Sequence, residues 1–182
     1  MIISYRKTPT SPSPTLIKGT EIEIVESYKY LGVTIDNKLS FDSHISSTSK
    51  KVQQRLFFLR KMRSFNVSNV MMTLFYRSFI ESVLTFCIVA WYGNLTLTNK
   101  NRLSSLVKVA SKISGRTQAQ LIDLYKRQML KRASSLLEVT DHPLRPEFEL
   151  LSSGRRFRVP TTKTNRYKQS FVPAAIQLLN KK

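Results

Sequence analysis

The chain has 182 residues, of which 41% are apolar, enough to build the core of one small domain. Its 30 Lys and Arg residues exceed its 11 Asp and Glu residues, giving a formal net charge of +19. Such a charge favours polyanionic partners, nucleic acid first and an anionic membrane surface second, and the alternative is a basic surface kept for solubility. A single cysteine excludes an internal disulfide and a thiolate zinc site, and makes a reducing compartment the simpler assumption.

The first 40 residues predict short strands. A strand is expected at Met1–Tyr5, and the Pro/Ser/Thr run at Thr8–Thr15 predicts a loop. Ile22 and Ile24 alternate with two glutamates, which predicts a second strand whose carboxylates lie on a solvated face. Residues 28–35 alternate again around Leu31-Gly32, which predicts a bent or hairpin-like β element with its bend at Gly32.

Asp42 is the predicted N-cap of a helix running to about Phe65. Its apolar stripe consists of Ile45, Val52, Leu56 and Leu59. The basic residues on the rest of its surface have the spacing to follow a phosphate backbone, and an ordinary solvated helix face is the alternative. These residues are Lys50, Lys51, Arg55 and Lys61.

Ser68 is the predicted cap of a second helix that continues to about Tyr92. Apolar residues on nearly every side of it predict a central, buried helix, with Cys87 as a buried side chain and Arg77 paired with Glu81. Because those two charges interrupt the apolar run, we expect it to be too short to span a bilayer.

Two further helices follow, one around 103–113 that ends near Gly115 and one around 121–137. The short polar loops between the helices favour an antiparallel bundle.

Beyond residue 140, prolines end the helical pattern and basic residues alternate with aromatic ones. Cations neutralise phosphates and aromatic rings stack on exposed bases, so this segment suits single-stranded nucleic acid; the alternative is a basic tail whose rings dock on the bundle. Pro173 is the predicted first residue of a last short helix. The candidate contacts are Arg155, Arg156, Phe157, Arg158, Arg166, Tyr167 and Lys168.

The sequence contains no Asp-Asp pair, no phosphate-binding Gly-rich loop and no Gly-x-Ser-x-Gly elbow. His44 and His142 are its only histidines, and both are expected to serve locally. We therefore predict no catalytic residue and no metal ligand in this chain.

The Tyr30-Leu-Gly32 turn before a basic helix resembles the primer grip of reverse transcriptases of non-LTR (LINE-type) retrotransposons. The segments 75–84, 91–94, 154–160 and 163–168 also resemble the post-palm region of that family, in the same order. The resemblance implies a detached thumb and basic tail, with Leu31 and Gly32 as the primer-grip remnant. It implies RNA or an RNA–DNA duplex as partner, together with the missing palm and fingers, and Mg²⁺ only in the intact enzyme. The family's aromatic-x-Asp-Asp motif is not present.

Residues 45–80 also resemble the helical N-terminal domain of the AlkB-like tRNA-modifying protein family, which implies an RNA-binding module. That family is associated with 2-oxoglutarate-dependent oxidation and methyl transfer. Its type of iron site needs a His-x-Asp spacing that neither histidine provides, so we do not expect the oxidation here.

These patterns predict a mainly α protein: an antiparallel helical bundle at 42–140, a small β remnant at 1–41 and an irregular basic segment at 141–182. The expected function is nucleic-acid binding without enzymatic activity of its own and without a membrane partner. Two alternatives are the independent RNA-binding module and a translated remnant without a molecular function.

Overall fold

The computed structural model describes residues 1–3 and 14–181. Two short antiparallel hairpins precede the helices, as the sequence predicts for the fold class. The first pairs β1 (Leu16–Ile17) with β2 (Thr20–Glu21), and the second pairs β3 (Ser27–Tyr30) with β4 (Val33–Asp36). The predicted bend at Gly32 is confirmed: Leu31 and Gly32 have φ values of 46° and 87°, the two left-handed residues of a tight hairpin turn.

The other strand predictions are wrong or fall outside the described residues. Residues 1–3 form no strand, and most of the expected loop at Thr8–Thr15 lies outside the described part. Ile22 and Ile24 follow β2 as exposed, irregular residues, although the N–H of Ile22 still donates to the carbonyl of Thr15. The turn at Lys18-Gly19 sets the pairing, and it places the hairpin earlier than the isoleucine pattern indicates.

Helix α1 spans Asp42–Ser64 and buries its predicted stripe completely or nearly so. Asp42 is its first helical residue and not its N-cap, because Phe41 occupies that position with a left-handed φ of 60°. The Asp42 carboxylate instead accepts a hydrogen bond from Asn99 Nδ2, 2.6 Å away.

The predicted second helix is interrupted. It consists of α2 (Asn69–Phe75), a π-helical turn at Tyr76–Glu81, α3 (Ser82–Thr85) and α4 (Ile88–Trp91). Ser68 caps it as predicted, accepting from the N–H of Met71. Only one stripe of this run is buried, so the prediction of burial on nearly every side is wrong. The stripe contains Met72, Tyr76, Ile80, Leu84, Ile88 and Trp91.

Cys87 is exposed and has a left-handed φ of 49°, so the prediction that it is buried is wrong. The chain turns at Phe86-Cys87, where the indole N–H of Trp91 donates to the freed carbonyl of Phe86 at 2.9 Å.

No ion pair joins Arg77 to Glu81 among the residues described. The π turn between them widens the helix, so that a spacing of four residues no longer aligns the two side chains.

Helices α5 (Leu97–Ser114) and α6 (Leu121–Glu138) match the remaining predictions, and Gly115 ends α5 in the left-handed conformation. The hydrogen bond between Asn99 and Asp42 joins the starts of α5 and α1, and Gly115 lies near Arg63 at their far ends. Because α5 runs in the same direction as α1, the α2–α4 run returns between them. These first three helical segments therefore alternate in direction, as expected for a bundle of this type.

The C-terminal segment is partly ordered against this bundle. It contains a 3₁₀ turn (Arg145–Glu147), a bridge between Leu150 and Phe157, α7 (Asn165–Lys168) and α8 (Phe171–Leu179). Helix α8 begins two residues before the predicted start at Pro173, and it packs against α6. Phe148, Ala175 and Ile176 from this segment join the common core.

Candidate nucleic-acid interface

The β3–β4 hairpin carries the predicted primer-grip residues. Leu31 is 76% exposed at its tip, whereas Gly32 lies against the ring of Phe86. A Cβ atom on Gly32 would be 3.0 Å from that ring, so both the positive φ and the close approach favour glycine. The hairpin tip is thereby fixed beside the break between α3 and α4.

Asp36 joins this hairpin to α1, a role that the sequence reasoning missed. Its carboxylate accepts hydrogen bonds from the backbone N–H groups of Lys38, Ser40 and Phe41 at 3.0, 3.0 and 2.7 Å, and from the Ser40 hydroxyl at 3.1 Å. Burial tends to raise the pKa of Asp36, but these donors outweigh it and the pKa lies below its ordinary value. An Asp followed four residues later by Ser, a pair able to form a local hydrogen bond, is the one signal that the residue types offered for this turn.

His44 fixes the same junction from the other side. It is buried, its Nδ1 accepts from the N–H of Thr34 at 3.4 Å, and its ring centroid lies 5.5 Å from that of Trp91. Burial, and then the positive charge of Lys51, lower its pKa. The neutral imidazole serves a local structural role, in agreement with the prediction.

The four predicted basic contacts on α1 divide into two kinds. Lys50, Lys51 and Lys61 are exposed, with the ammonium of Lys61 5.8 Å from the ring centroid of Phe57. The guanidinium of Arg55 donates to the carbonyl of Phe79, within the π turn. Arg55 therefore connects α1 to the neighbouring helix, and the three lysines form what we call the α1 basic face.

The C-terminal basic residues also divide. Arg155 and Arg156 are exposed at a tight turn in which the N–H of Leu151 donates to the carbonyl of Arg156 at 2.8 Å. Arg158 forms an ion pair with Glu149 at 3.4 Å. The two free arginines are the better candidates for contacts with phosphates.

The ring of Phe157 docks on the core, which is one of the two alternatives that the sequence left open. Its ring packs edge-on against Phe148, with 6.1 Å between the centroids. The side-chain amide of Asn180 holds its backbone, accepting from the N–H at 2.8 Å and donating to the carbonyl at 2.9 Å. A ring held in this way is turned towards the core and away from a base in solution.

Helix α7 carries the remaining candidate residues and contacts the segment between β4 and α1. The guanidinium of Arg166 donates to the carbonyl of Lys38 at 2.7 Å, just before α1. Its neighbours Tyr167 and Lys168 are exposed. Arg166 is therefore a positioning residue, and it links the C-terminal segment to the start of the helix that carries the α1 basic face.

Charge compensation is sparse over the surface. Within residues 1–3 and 14–181, the pair of Arg158 with Glu149 is the one ion pair. The same residues contain no group of three or more His, Cys, Asp and Glu side chains able to hold a metal ion. His142 again serves locally, its Nδ1 accepting from the N–H of Leu144 at 3.1 Å.

The run Asn69–Trp91 is long and apolar enough to cross a membrane by length and composition alone. The expectation that this run is too short was therefore wrong. Its most apolar window is 28% buried, and the buried stripe of the run lies in the core of the bundle. Soluble core helices pass the same test, so length and composition do not assign a membrane to it.

Comparison with known proteins gives one family. The model of the family described as "Alkylated DNA repair protein alkB homolog 8, N-terminal" matches residues 41–82, which run from the start of α1 to the end of the π turn. No curated protein matches the chain, and no solved structure matches it. The resemblance to retrotransposon reverse transcriptases is supported by none of these comparisons, whereas the resemblance of residues 45–80 to the AlkB-like N-terminal domain coincides with the matched segment.

Proposed function

We propose that this chain is a nucleic-acid-binding module that holds RNA or an RNA–DNA duplex on its basic surface. The observation that carries the proposal is the uncompensated charge: a net +19, with a single ion pair in the described part of the chain. Cations without carboxylate partners keep their field available for phosphates. A charge excess of this kind on an ordered surface favours polyanion binding over a purely solubilising role.

Two surfaces would share the contact. One is the α1 basic face, and the other is the exposed group formed by Arg155, Arg156, Tyr167 and Lys168. Arg55, Arg166 and the docked Phe157 would position these surfaces and not contact the nucleic acid themselves. Leu31, exposed at the hairpin tip, would supply an apolar contact beside them.

The family match favours nucleic acid over other polyanions. It covers α1, which contributes three of the exposed lysines, and the name of the matched family refers to DNA repair. We do not extend the proposal to oxidation or methyl transfer. The residues after the two histidines, Ile-Ser and Pro-Leu, do not supply the carboxylate of a His-x-Asp iron site.

A more specific proposal is that the chain is the thumb region of a LINE-like reverse transcriptase, separated from its palm and fingers. Its support is the Tyr-Leu-Gly hairpin, whose last residue, Asp36, accepts a hydrogen bond from the N–H of Phe41 at the start of a basic helix. The Mg²⁺ ions of such an enzyme need paired carboxylates, and the residues present do not fit them because the sequence has no Asp-Asp pair. A remnant without function is the remaining alternative.

Salt-dependent binding to single-stranded RNA and to an RNA–DNA duplex tests the proposal, with fluorescence anisotropy as the measurement. Arg155→Gln with Arg156→Gln should reduce the slope of log affinity against log salt by about 1.4 on single-stranded RNA, at about 0.7 per phosphate contact. Lys50→Gln, Lys51→Gln and Lys61→Gln together should act more strongly on the duplex than on the single strand.

Lys108→Gln with Lys112→Gln is the matched control, since it removes two exposed lysines from α5. If all three variants lower affinity equally for each lost charge, the binding is diffuse and the assignment of two surfaces is wrong. If the unmodified chain binds neither RNA nor duplex at 150 mM salt, the remnant alternative replaces the proposed function.

A further inference from the structure

Two segments that are distant in sequence meet at Gly93. The backbone of Gly93, just after α4, lies against the C-terminal segment just after α7. A Cβ atom there would be 2.6 Å from the carbonyl oxygen of Gln169 and 3.0 Å from the Tyr125 hydroxyl. Glycine therefore permits a close contact that no larger residue would allow.

This contact forms the floor of an open depression of about 430 Å³ between α5, α6, α7 and α8. We call it the lysine basin, because Lys100, Lys126, Lys168 and Lys181 line it. No carboxylate lines it, although burial, and then the charge of Asp123, raise the pKa of Tyr92 at its edge. Its other polar lining consists of three amide side chains and two tyrosines: Asn165, Gln169, Gln177, Tyr92 and Tyr125.

Lys100 is the innermost cation. It is half-buried, its ammonium donates to the carbonyl of Gly93 at 3.3 Å, and it lies 5.6 Å from the ring centroid of Tyr92. Burial lowers its pKa, and no carboxylate within ion-pair distance compensates it in the part of the chain described. A partly desolvated ammonium with only a carbonyl and a ring as partners is stabilised by an incoming anion.

We propose that the lysine basin binds a nucleoside phosphate, either a free mononucleotide or the phosphorylated terminal nucleotide of a strand. The strand form rests on the proposed nucleic-acid binding, and the mononucleotide form does not. Lys100 and the three exposed lysines of the basin would hold the phosphate, because an ammonium is a point charge that suits phosphate oxygens.

The size and lining of the basin favour a nucleoside over phosphate alone. A volume of about 430 Å³ is within the range of small-ligand pockets, and an isolated phosphate would leave most of it filled with water. The amide side chains offer donors and acceptors together, as the edge of a base requires. Ile122 and Leu178 supply an apolar wall for the face of the base.

The test compares three RNAs of one sequence with an internal fluorophore, carrying a 5′-phosphate, a 3′-phosphate or hydroxyls at both ends. We expect one phosphorylated RNA to bind roughly tenfold more tightly than the hydroxyl form, as for one added charge-assisted contact. Binding of AMP alone, measured by equilibrium dialysis, covers the free mononucleotide. Inorganic phosphate should compete poorly with AMP.

Lys126→Gln with Lys181→Gln should remove both the preference for a terminal phosphate and the binding of AMP. Ala174→Trp should do the same by filling the basin without changing its charge. Circular dichroism establishes that each variant is folded, and Lys108→Gln with Lys112→Gln should leave both readouts unchanged.

The absence of both AMP binding and any preference for a terminal phosphate in the unmodified chain would overturn this inference, even if RNA binds. Retention of both in the two basin variants would also overturn it. Conversely, AMP binding without RNA binding would overturn the proposed function and leave the basin assignment intact.

Discussion

A single imidazole shows how closely the hairpin and the helices depend on each other. His44 lies between the backbone of Thr34 in β4 and the ring of Trp91 in α4, so its protonation state affects both contacts. A protonated Nδ1 could no longer accept the hydrogen bond from Thr34. The folded chain therefore favours the neutral form, which is the direction of the lowered pKa.

The stability of the protein should fall as the pH is lowered below about 6.5, the pKa of an unfolded histidine. With its pKa depressed in the folded state, His44 is protonated first in the unfolded chain, so acid favours unfolding. The free energy of unfolding should decrease by at most about 1.4 kcal/mol per pH unit through that range. Urea titrations between pH 7.5 and 5.5 measure it.

His44→Gln is the control, since it removes the titrating group and leaves His142 in place. The variant should be less stable at pH 7.5 and should show a flatter pH profile over the same range. If the two profiles have the same slope, His44 is not the group responsible.

Single residues also mark where the sequence reasoning failed. The role of Asp36 was missed because its four hydrogen bonds, to three residues, depend on the left-handed conformations of Leu39 and Phe41, which the residue types do not indicate. Cys87 lies in an apolar run without Gly or Pro, so nothing local predicted a left-handed residue there. Phe157 was left between docking and stacking, and its docking depends on Asn180, which the sequence reasoning did not use.

At the scale of the element, the apolar stripe of α1 and the end of α5 at Gly115 were predictable, because periodicity and a C-terminal glycine are local signals. The interruption of the α2–α4 run was not, since a π turn leaves no mark in composition. Apolar residues on all sides of that run predicted full burial, yet the bundle covers only one stripe. Val70, Met71, Leu74, Phe79 and Phe86 are each about half exposed or more.

Two leucines of the Asn69–Trp91 run represent its two sides, one in the buried stripe and one on the exposed side. Leu84 is fully buried and Leu74 is 57% exposed. Leu84→Asp should destabilise the bundle by more than about 3 kcal/mol, because it buries a carboxylate without a partner. Leu74→Asp should change stability by less than about 1 kcal/mol, since a surface substitution meets water.

Thermal melts followed by circular dichroism at 222 nm test the pair. Equal melting temperatures for the two variants would contradict the orientation of the run. A large loss for Leu74→Asp alone would indicate that the exposed side is covered by another surface in solution.

At the scale of the whole molecule, the fold class follows from the sequence, whereas the sites depend on long-range contacts. Alternating directions of the helices were expected from short polar loops. The lysine basin was not expected, because it collects residues from 92 to 181 that share no local pattern. The assignment of basic residues to a nucleic-acid interface stays a prediction, and local spacing did not reveal that the guanidinium groups of Arg55 and Arg166 donate to backbone carbonyls.

Primer extension on an RNA template should give no product with this chain, with or without Mg²⁺. A two-metal reaction needs positioned carboxylates, and the sequence has no Asp-Asp pair to supply them. A reverse transcriptase in the same buffer is the positive control. Template-dependent incorporation that follows this chain through successive chromatographic steps would show that its own residues catalyse the reaction.

The bond from Arg166 to the carbonyl of Lys38 spans 128 positions in the sequence. At a synthesis rate of roughly 5–20 residues per second, the two partners leave the ribosome on the order of 10 s apart. The hydrogen bond between Arg166 and Lys38 can therefore form only after most of the polypeptide has been translated. A premature stop codon just before Arg166 would still allow α1, α5 and α6 to be translated, but the chain would lack α8 and this hydrogen bond to the segment between β4 and α1.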